Sequence, residues 1–173
     1  MKKLNYNILY NLRTLSFFFL SLTLCISFYL GENSSGGAKY DHSVTQEFII
    51  LFSDNLENAY DVYRPSVNPH LPFYYLILGK LSNFVDLNIL RFLYLLISIT
   101  LPLIFYKILK LTFKNQNKNI LFFISLIIFL SPYFRSSAIW LTNDNLTLIF
   151  FSLSLYYFYK SERFKNNNQF YSI

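Results

Sequence analysis

The sequence predicts an all-α protein, a polytopic membrane helical bundle with about four transmembrane helices and juxtamembrane helices in its first outer loop. Of its 173 residues, 54% are hydrophobic and 21% are aromatic. Several apolar runs approach the roughly 20 helical residues that cross a bilayer. Most lysines and arginines lie just outside these runs, where topology signals are found. We therefore attribute the net charge of +6 to membrane topology and expect no nucleic-acid partner.

The first apolar run covers residues 14–30 and follows a basic start formed by Lys2, Lys3 and Arg13. A cleaved signal peptide and a retained first transmembrane helix both have this arrangement. The run is long for a signal peptide, and no A-x-A-like cleavage site follows it, so we expect a retained helix. The basic flank places the N-terminus in the cytoplasm, which puts the next loop on the outer face.

The outer loop, residues 31–86, contains most of the acidic side chains. Its polar part up to Pro72 holds six of the chain's nine carboxylates. Gly36 and Gly37 allow a tight turn there. A short amphipathic helix at the membrane surface is predicted by an apolar stripe, whose members are Val44, Phe48, Ile49, Leu51 and Phe52. The alternative explanation of the stripe is ordinary packing of a loop against the bundle.

Residues 71–85 form a short apolar run that either crosses the membrane or lies on its outer face. If the run does not cross, ten of the fifteen Lys and Arg residues lie in the cytoplasm, and six do if it crosses. The positive-inside rule favours the first arrangement. The remaining spans are then residues 87–109, 120–134 and 146–159, and residues 131–145 turn at the outer face.

Three side chains near the outer face are candidates for chemistry. Asp41 follows the flexible glycine pair and could accept a proton from a hydroxyl, or it is an ordinary solvated carboxylate. Asp144 opens the last span, either as a functional group or as an N-terminal cap. Arg135 could bind a lipid phosphate through two parallel hydrogen bonds. Alternatively, its side chain only extends toward the lipid headgroups.

The two histidines, His42 and His70, raise the question of a metal. Together with acidic side chains they could hold a divalent ion. No ligand spacing such as HExxH is present, so the sequence leaves the metal as unknown.

The order of four motifs resembles the N-terminal part of the GT-C class of membrane glycosyltransferases. The most similar branch is the bacterial one related to protein O-mannosyltransferases and the lipid A aminoarabinose transferase (glycosyltransferase family 39-like). The motifs are His70-Leu71-Pro72-Phe73-Tyr74-Tyr75-Leu76, Asn88-Ile89-Leu90-Arg91, Leu130-Ser131-Pro132-Tyr133-Phe134-Arg135 and Leu141-Thr142-Asn143-Asp144-Asn145-Leu146.

The resemblance implies transfer of a sugar from a polyprenyl-phosphate carrier to a hydroxyl acceptor. It implies that Asp41 acts as, or close to, the general base, with Asp144 in support. His70 corresponds to the family's histidine before the proline-aromatic run, and we expect it to bind substrate. We expect Arg135 to contact the carrier phosphate. One departure is Asp41-His42 in place of the family's frequent Asp-Glu pair.

The resemblance covers nearly all of this chain but only about the first third of a typical family enzyme. We therefore expect a gene fragment or half of a split enzyme, inactive alone, with a second polypeptide supplying further helices. The other expected partners are membrane lipids and the lipid-linked sugar donor, in a bacterial inner (plasma) membrane. The alternative is a small non-enzymatic membrane subunit or scaffold whose outer loop binds a partner.

Overall fold

The computed structural model describes residues 6–63 and 72–170, with side chains over residues 11–63 and 72–162. Within these ranges all regular structure is helical, which confirms the predicted fold class. A short 3₁₀ helix, Ile127–Leu130, precedes the helix that begins at Pro132. The α-helices are α1 (Tyr6–Leu30), α2 (Ala38–Asp54), α3 (Leu56–Tyr63), α4 (Phe73–Ser82), α5 (Leu87–Ser98), α6 (Thr100–Thr112), α7 (Lys118–Leu126), α8 (Pro132–Trp140) and α9 (Asp144–Phe170).

Two described helical stretches are long and apolar enough to cross a membrane, Asn11–Leu30 and Leu87–Thr112. A third candidate is α7 with the 3₁₀ helix and α8, if this pair, bent by 63°, forms one span. The apolar helices thus agree with a membrane protein of two or three spans. The predicted count of about four is not confirmed, because α9, which contains residues 146–159, is not among these stretches.

The span predicted at residues 87–109 consists of two helices that nearly continue one another. The break falls at Ile99, whose backbone N–H still donates to the Leu95 carbonyl at 3.1 Å. Pro102 follows three residues later and is fully buried. A proline has no N–H and its ring crowds the carbonyl four residues earlier, here that of Ser98. This places the break between α5 and α6.

We expected residues 131–145 to form a turn. They contain the buried helix α8 instead, which corrects the expected organisation. Ser131 caps this helix by accepting a hydrogen bond from the Phe134 N–H, and Pro132 occupies its first turn. Proline is favoured there because that N–H would have no helical partner. Leu141 then ends the helix in the left-handed conformation, with φ of 56°. Only residues 141–143 remain as a connection to α9.

The outer loop folds into helices α2, α3 and α4, so the helix predicted from the apolar stripe is confirmed and is longer than the stripe. The buried face of α2 packs on α4, where Gly79 allows the two backbones to approach closely. With ten residues, α4 is about 15 Å long, half of a bilayer's apolar thickness of roughly 30 Å. The helix is too short to cross, in agreement with the charge count.

The bundle has two chemically different ends. We call the end where α1 ends, α5 begins and α2–α4 pack the loop end. The opposite end, where α6 ends and α7 begins, is the lysine end. A hydrophobic core joins α1 and α5–α9, and a second one lies beneath α2–α4.

Candidate functional site at the loop end

The turn at the end of α1 places Glu32 against the surface of α8. Gly31 has φ of +66°, and the Glu32 N–H donates to the Ser27 carbonyl at 3.0 Å while the Gly31 N–H donates to that of Phe28. This pair of bonds is the Schellman motif that ends helices at glycine. Glu32 is thereby fixed at the start of the loop, and its carbonyl accepts a 2.7 Å hydrogen bond from the Trp140 indole.

Arg135 on α8 binds Glu32 through both carboxylate oxygens. Its Nε donates to Oε1 at 2.7 Å, and its Nη2 donates to Oε2 and to the Ser27 hydroxyl. Both side chains are partly buried, and this is the one salt bridge between described residues. The hydrogen bonds from Arg135 lower the pKa of Glu32 to about 2, against the opposing effect of burial. Glu32 therefore neutralises the arginine that we expected to contact phosphate.

Arg91, which the sequence analysis quoted only as part of a motif, is a second cation at this end. Its guanidinium lies 4.7 Å from the Trp140 ring centroid and 5.1 Å from that of Phe28. It donates to the Ile139 carbonyl at 3.1 Å and to the Asn88 side chain at 3.4 Å. No described carboxylate lies within ion-pairing distance of it. An arginine in this setting retains positive charge for an anion.

His42 lies on α2 beside the same indole, with ring centroids 5.7 Å apart. Its Nδ1 is buried and lacks a hydrogen-bond partner in the described part of the chain. Burial lowers the pKa of His42, and the positive charge of Arg91 lowers it further. The ring is therefore mainly neutral near pH 7.

Asp144 begins α9 in a network of hydrogen bonds from the connection after α8. It accepts a 2.7 Å hydrogen bond from the Thr142 hydroxyl and remains exposed. Tyr94 donates to the Thr142 carbonyl and accepts from the Leu146 N–H at 3.2 Å, while Tyr74 donates to the Leu141 carbonyl at 2.8 Å. Burial raises the pKa of Tyr74, which keeps its hydroxyl protonated. Asp144 is thus on a helix start that two tyrosines hold in place.

Asp41 lies in the first turn of α2, and its side chain is exposed. Among the described residues its side chain makes no ion pair and no hydrogen bond, so the structure does not bring Asp41 into contact with Asp144 or Arg135. His70 lies outside the described residues. The roles expected for these residues therefore stay predictions.

An apolar groove of 640 Å³ runs between α4, α5 and the first turns of α9. Its walls are formed by leucine, isoleucine, phenylalanine and the two tyrosines of the Asp144 network. Asn143 and Thr147 form the polar rim at the start of α9, on either side of Asp144 in sequence. Leu81, Leu93 and Ile97 lie on its apolar walls. The groove can therefore hold an elongated apolar chain with a polar group near Asp144.

The described residues contain no cluster of three or more His, Cys, Asp or Glu side chains suited to a metal ion. Sequence reasoning missed Arg91 as a site residue and the Glu32 ion pair, and it considered His42 only as a possible metal ligand. The sole signal for Arg91 is its place in the Asn88-Ile89-Leu90-Arg91 motif. Comparisons with family models, curated proteins and solved structures found no match.

Proposed function

We propose that the chain forms part of a membrane glycosyltransferase that moves a sugar from a polyprenyl-phosphate donor to a hydroxyl acceptor at the outer face. The observation that carries this proposal is the apolar groove whose polar rim lies beside Asp144. An isoprenoid tail requires a long apolar surface, and a sugar phosphate requires polar groups at one end of it. The motif order in the sequence supports the same reaction.

In the proposed reaction, the acceptor oxygen forms a bond to the anomeric carbon of the sugar. The bond from that carbon to the phosphate oxygen breaks, and its electron pair leaves with the polyprenyl phosphate. Asp41 takes the proton of the acceptor hydroxyl as general base. Asp144 orients the sugar or acceptor from the start of α9, and His70 contributes to substrate binding.

Cations at the loop end would balance the charge of the phosphate. Arg135 can do so only if the phosphate replaces or joins Glu32 on its guanidinium. Arg91 needs no such exchange, because none of the described carboxylates pairs with it. The proposed site thus has one neutralised and one available arginine, and the second is the better phosphate ligand in this conformation.

The test is transfer of labelled sugar from an undecaprenyl-phosphate donor, measured in native membranes that contain the full chain together with any second polypeptide that completes the enzyme. We expect Asp41→Asn to lower the rate by about 100-fold or more, the usual contribution of a general base. Glu47→Gln is the matched control, since it neutralises another exposed carboxylate on α2 and should leave the rate within about twofold. Equal loss in both variants would contradict the role of Asp41.

A non-enzymatic subunit whose outer loop binds a partner is the second candidate. It is favoured by one observation, that Asp41 and Asp144 make no contact with each other in the described structure. In this case the membranes would show no transfer with any variant. The α2–α4 surface would then bind its partner equally well with Asp41→Asn and Glu47→Gln.

A further inference from the structure

The lysine end contains a cavity of 390 Å³ that four lysine side chains line. The cavity is formed by the last turns of α6, the connection to α7, the first residue of α7 and the middle of α9. No carboxylate lies among the residues that line it, which are Lys107, Lys110, Leu111, Lys114, Lys118 and Tyr156. Four exposed lysine side chains therefore line one concave space, and no described carboxylate shares its lining.

Two simpler explanations account for the lysines but not for the cavity. Lysines are favoured near the last carbonyls of a helix, which applies to Lys110 in the last turn of α6. Lysines also collect at the cytoplasmic ends of membrane spans. Neither effect requires lysines from three successive segments to converge, because each is satisfied by side chains that point separately into water.

Aromatic rings hold part of this cluster in place. The Lys110 ammonium lies 4.5 Å from the Tyr106 ring centroid, and that of Lys107 lies 6.0 Å from the Tyr156 ring centroid. Such cation–π contacts restrict where long lysine side chains extend. Tyr156 also lines the cavity, and its phenol is a neutral hydrogen-bond donor. The cavity thus combines positive charge with a neutral hydrogen-bond donor, as a phosphate-binding site does.

We propose that this cavity binds the phosphate group of an anionic ligand, with the headgroup of an acidic phospholipid as its source. The position argues for a lipid, because the cavity lies where the Leu87–Thr112 span ends and therefore at the level of the headgroups. Basic pockets between membrane helices bind lipid headgroups in this way. The site is at the end of the bundle opposite Asp144 and does not depend on the proposed sugar transfer.

The test is a binding titration of the full chain in neutral maltoside micelles. The probes are dihexanoyl phosphatidylglycerol, dihexanoyl phosphatidylcholine and inorganic phosphate. We expect phosphatidylglycerol to bind at least about tenfold more tightly than phosphatidylcholine. The double change Lys110→Gln and Lys114→Gln should weaken phosphatidylglycerol binding roughly 30-fold, since each lysine contributes about fivefold near an anionic headgroup.

Two variants control for charge and folding. Lys39→Gln with Lys80→Gln removes the same charge at the loop end and should change affinity by less than about twofold. Lys110→Arg with Lys114→Arg keeps the charge and should retain binding. Equal loss in both glutamine pairs, or equal affinity for the two lipids, would overturn the proposed site. If phosphate matches phosphatidylglycerol with the same lysine dependence, the phosphate site is upheld and its source is the solution.

Discussion

Arg135 makes most of its side-chain hydrogen bonds to Ser27 on α1 and to Glu32, two residues beyond the end of α1, so Glu32 is the charged side chain that links α8 to this junction. In Glu32→Gln the guanidinium remains partly buried but loses its charged partner. We expect a loss of about 2 kcal/mol in the free energy of unfolding, as for hydrogen bonds to charged groups. Unfolding in mixed micelles of increasing SDS content measures it. Glu47 is exposed on α2, so Glu47→Gln should change the free energy of unfolding by less than about 0.5 kcal/mol.

The same ion pair predicts how stability depends on pH. The pKa of Glu32 is about 2 in the folded chain, below its ordinary value of 4.5. A carboxyl with a lowered folded pKa stabilises the fold fully above its unfolded pKa, and this contribution disappears as pH falls toward the folded pKa. The stability difference between wild type and Glu32→Gln should therefore be constant above about pH 5 and shrink between 4.5 and 2. A difference that grows on acidification would contradict the assignment of the pair.

The sequence could indicate some of these side chains and not others. Asp144 was predictable, because the polar residues before an apolar run mark a helix start. The Glu32–Arg135 pair was not, since its members lie 103 positions apart and nothing local links them. Arg91 was equally hard to predict, because its value as an anion ligand depends on Trp140 and on the absence of a nearby carboxylate among the described residues. Contacts between residues so far apart in sequence form only when the helices pack together.

Among the helix contacts, the one between α2 and α4 depends on Gly79 having no side chain. A Cβ at Gly79 would lie 2.8 Å from the Phe52 carbonyl carbon and 2.9 Å from the Ile49 oxygen, so Gly79→Ala must push the helices apart. We expect a loss of about 2 kcal/mol in the stability of the α2–α4 unit, typical of an overpacked core. Hydrogen exchange should show faster exchange in α2 and unchanged protection in α5 and α6.

The control for that change is Gly37→Ala at the start of α2. A Cβ at Gly37 would have its nearest neighbour, an Asp41 carboxylate oxygen, at 3.9 Å, which is ordinary contact. The backbone there has φ of −100°, which any residue adopts. Hydrogen exchange in α2 should therefore stay close to that of the wild type. Equal effects of the two substitutions would mean that the helices are not packed as closely as the structure shows.

Helix α8 illustrates why some elements were harder to predict than others. The stripe in α2 was visible because one helix face is buried, and buried apolar residues then recur every three or four positions. The second half of α8 is buried at five successive residues, so all of its sides are covered and no periodicity remains; they are Ser136, Ser137, Ala138, Ile139 and Trp140. The sequence Leu130-Ser131-Pro132 gave the only signal, a cap followed by proline, and it marks the start of a helix as well as a turn.

Across the whole molecule, the two ends differ in how their charges are balanced. At the loop end, α2 and α3 carry exposed carboxylates, and Arg135 is paired with Glu32. At the lysine end, four lysines meet in one cavity that no carboxylate lines among the described side chains. Such a distribution is what the positive-inside rule produces in a bundle whose lysine end faces the cytoplasm. It supports the proposed orientation, with the loop end outside.

The orientation predicts which positions a membrane-impermeant thiol reagent reaches in intact cells. Single cysteines at Asn58, Phe84 and Gln116, in a Cys25→Ser background, replace exposed residues at the two ends. We expect labelling from outside at Asn58 and Phe84, because α3 and the end of α4 both lie at the loop end. Gln116 lies in the connection at the lysine end and should react only after the membrane is made permeable. Labelling of Gln116 with Asn58 but not of Phe84 would mean that residues 71–85 cross the membrane. In that case the charge count, the length argument for α4 and the proposed outer-face reaction would all be wrong together.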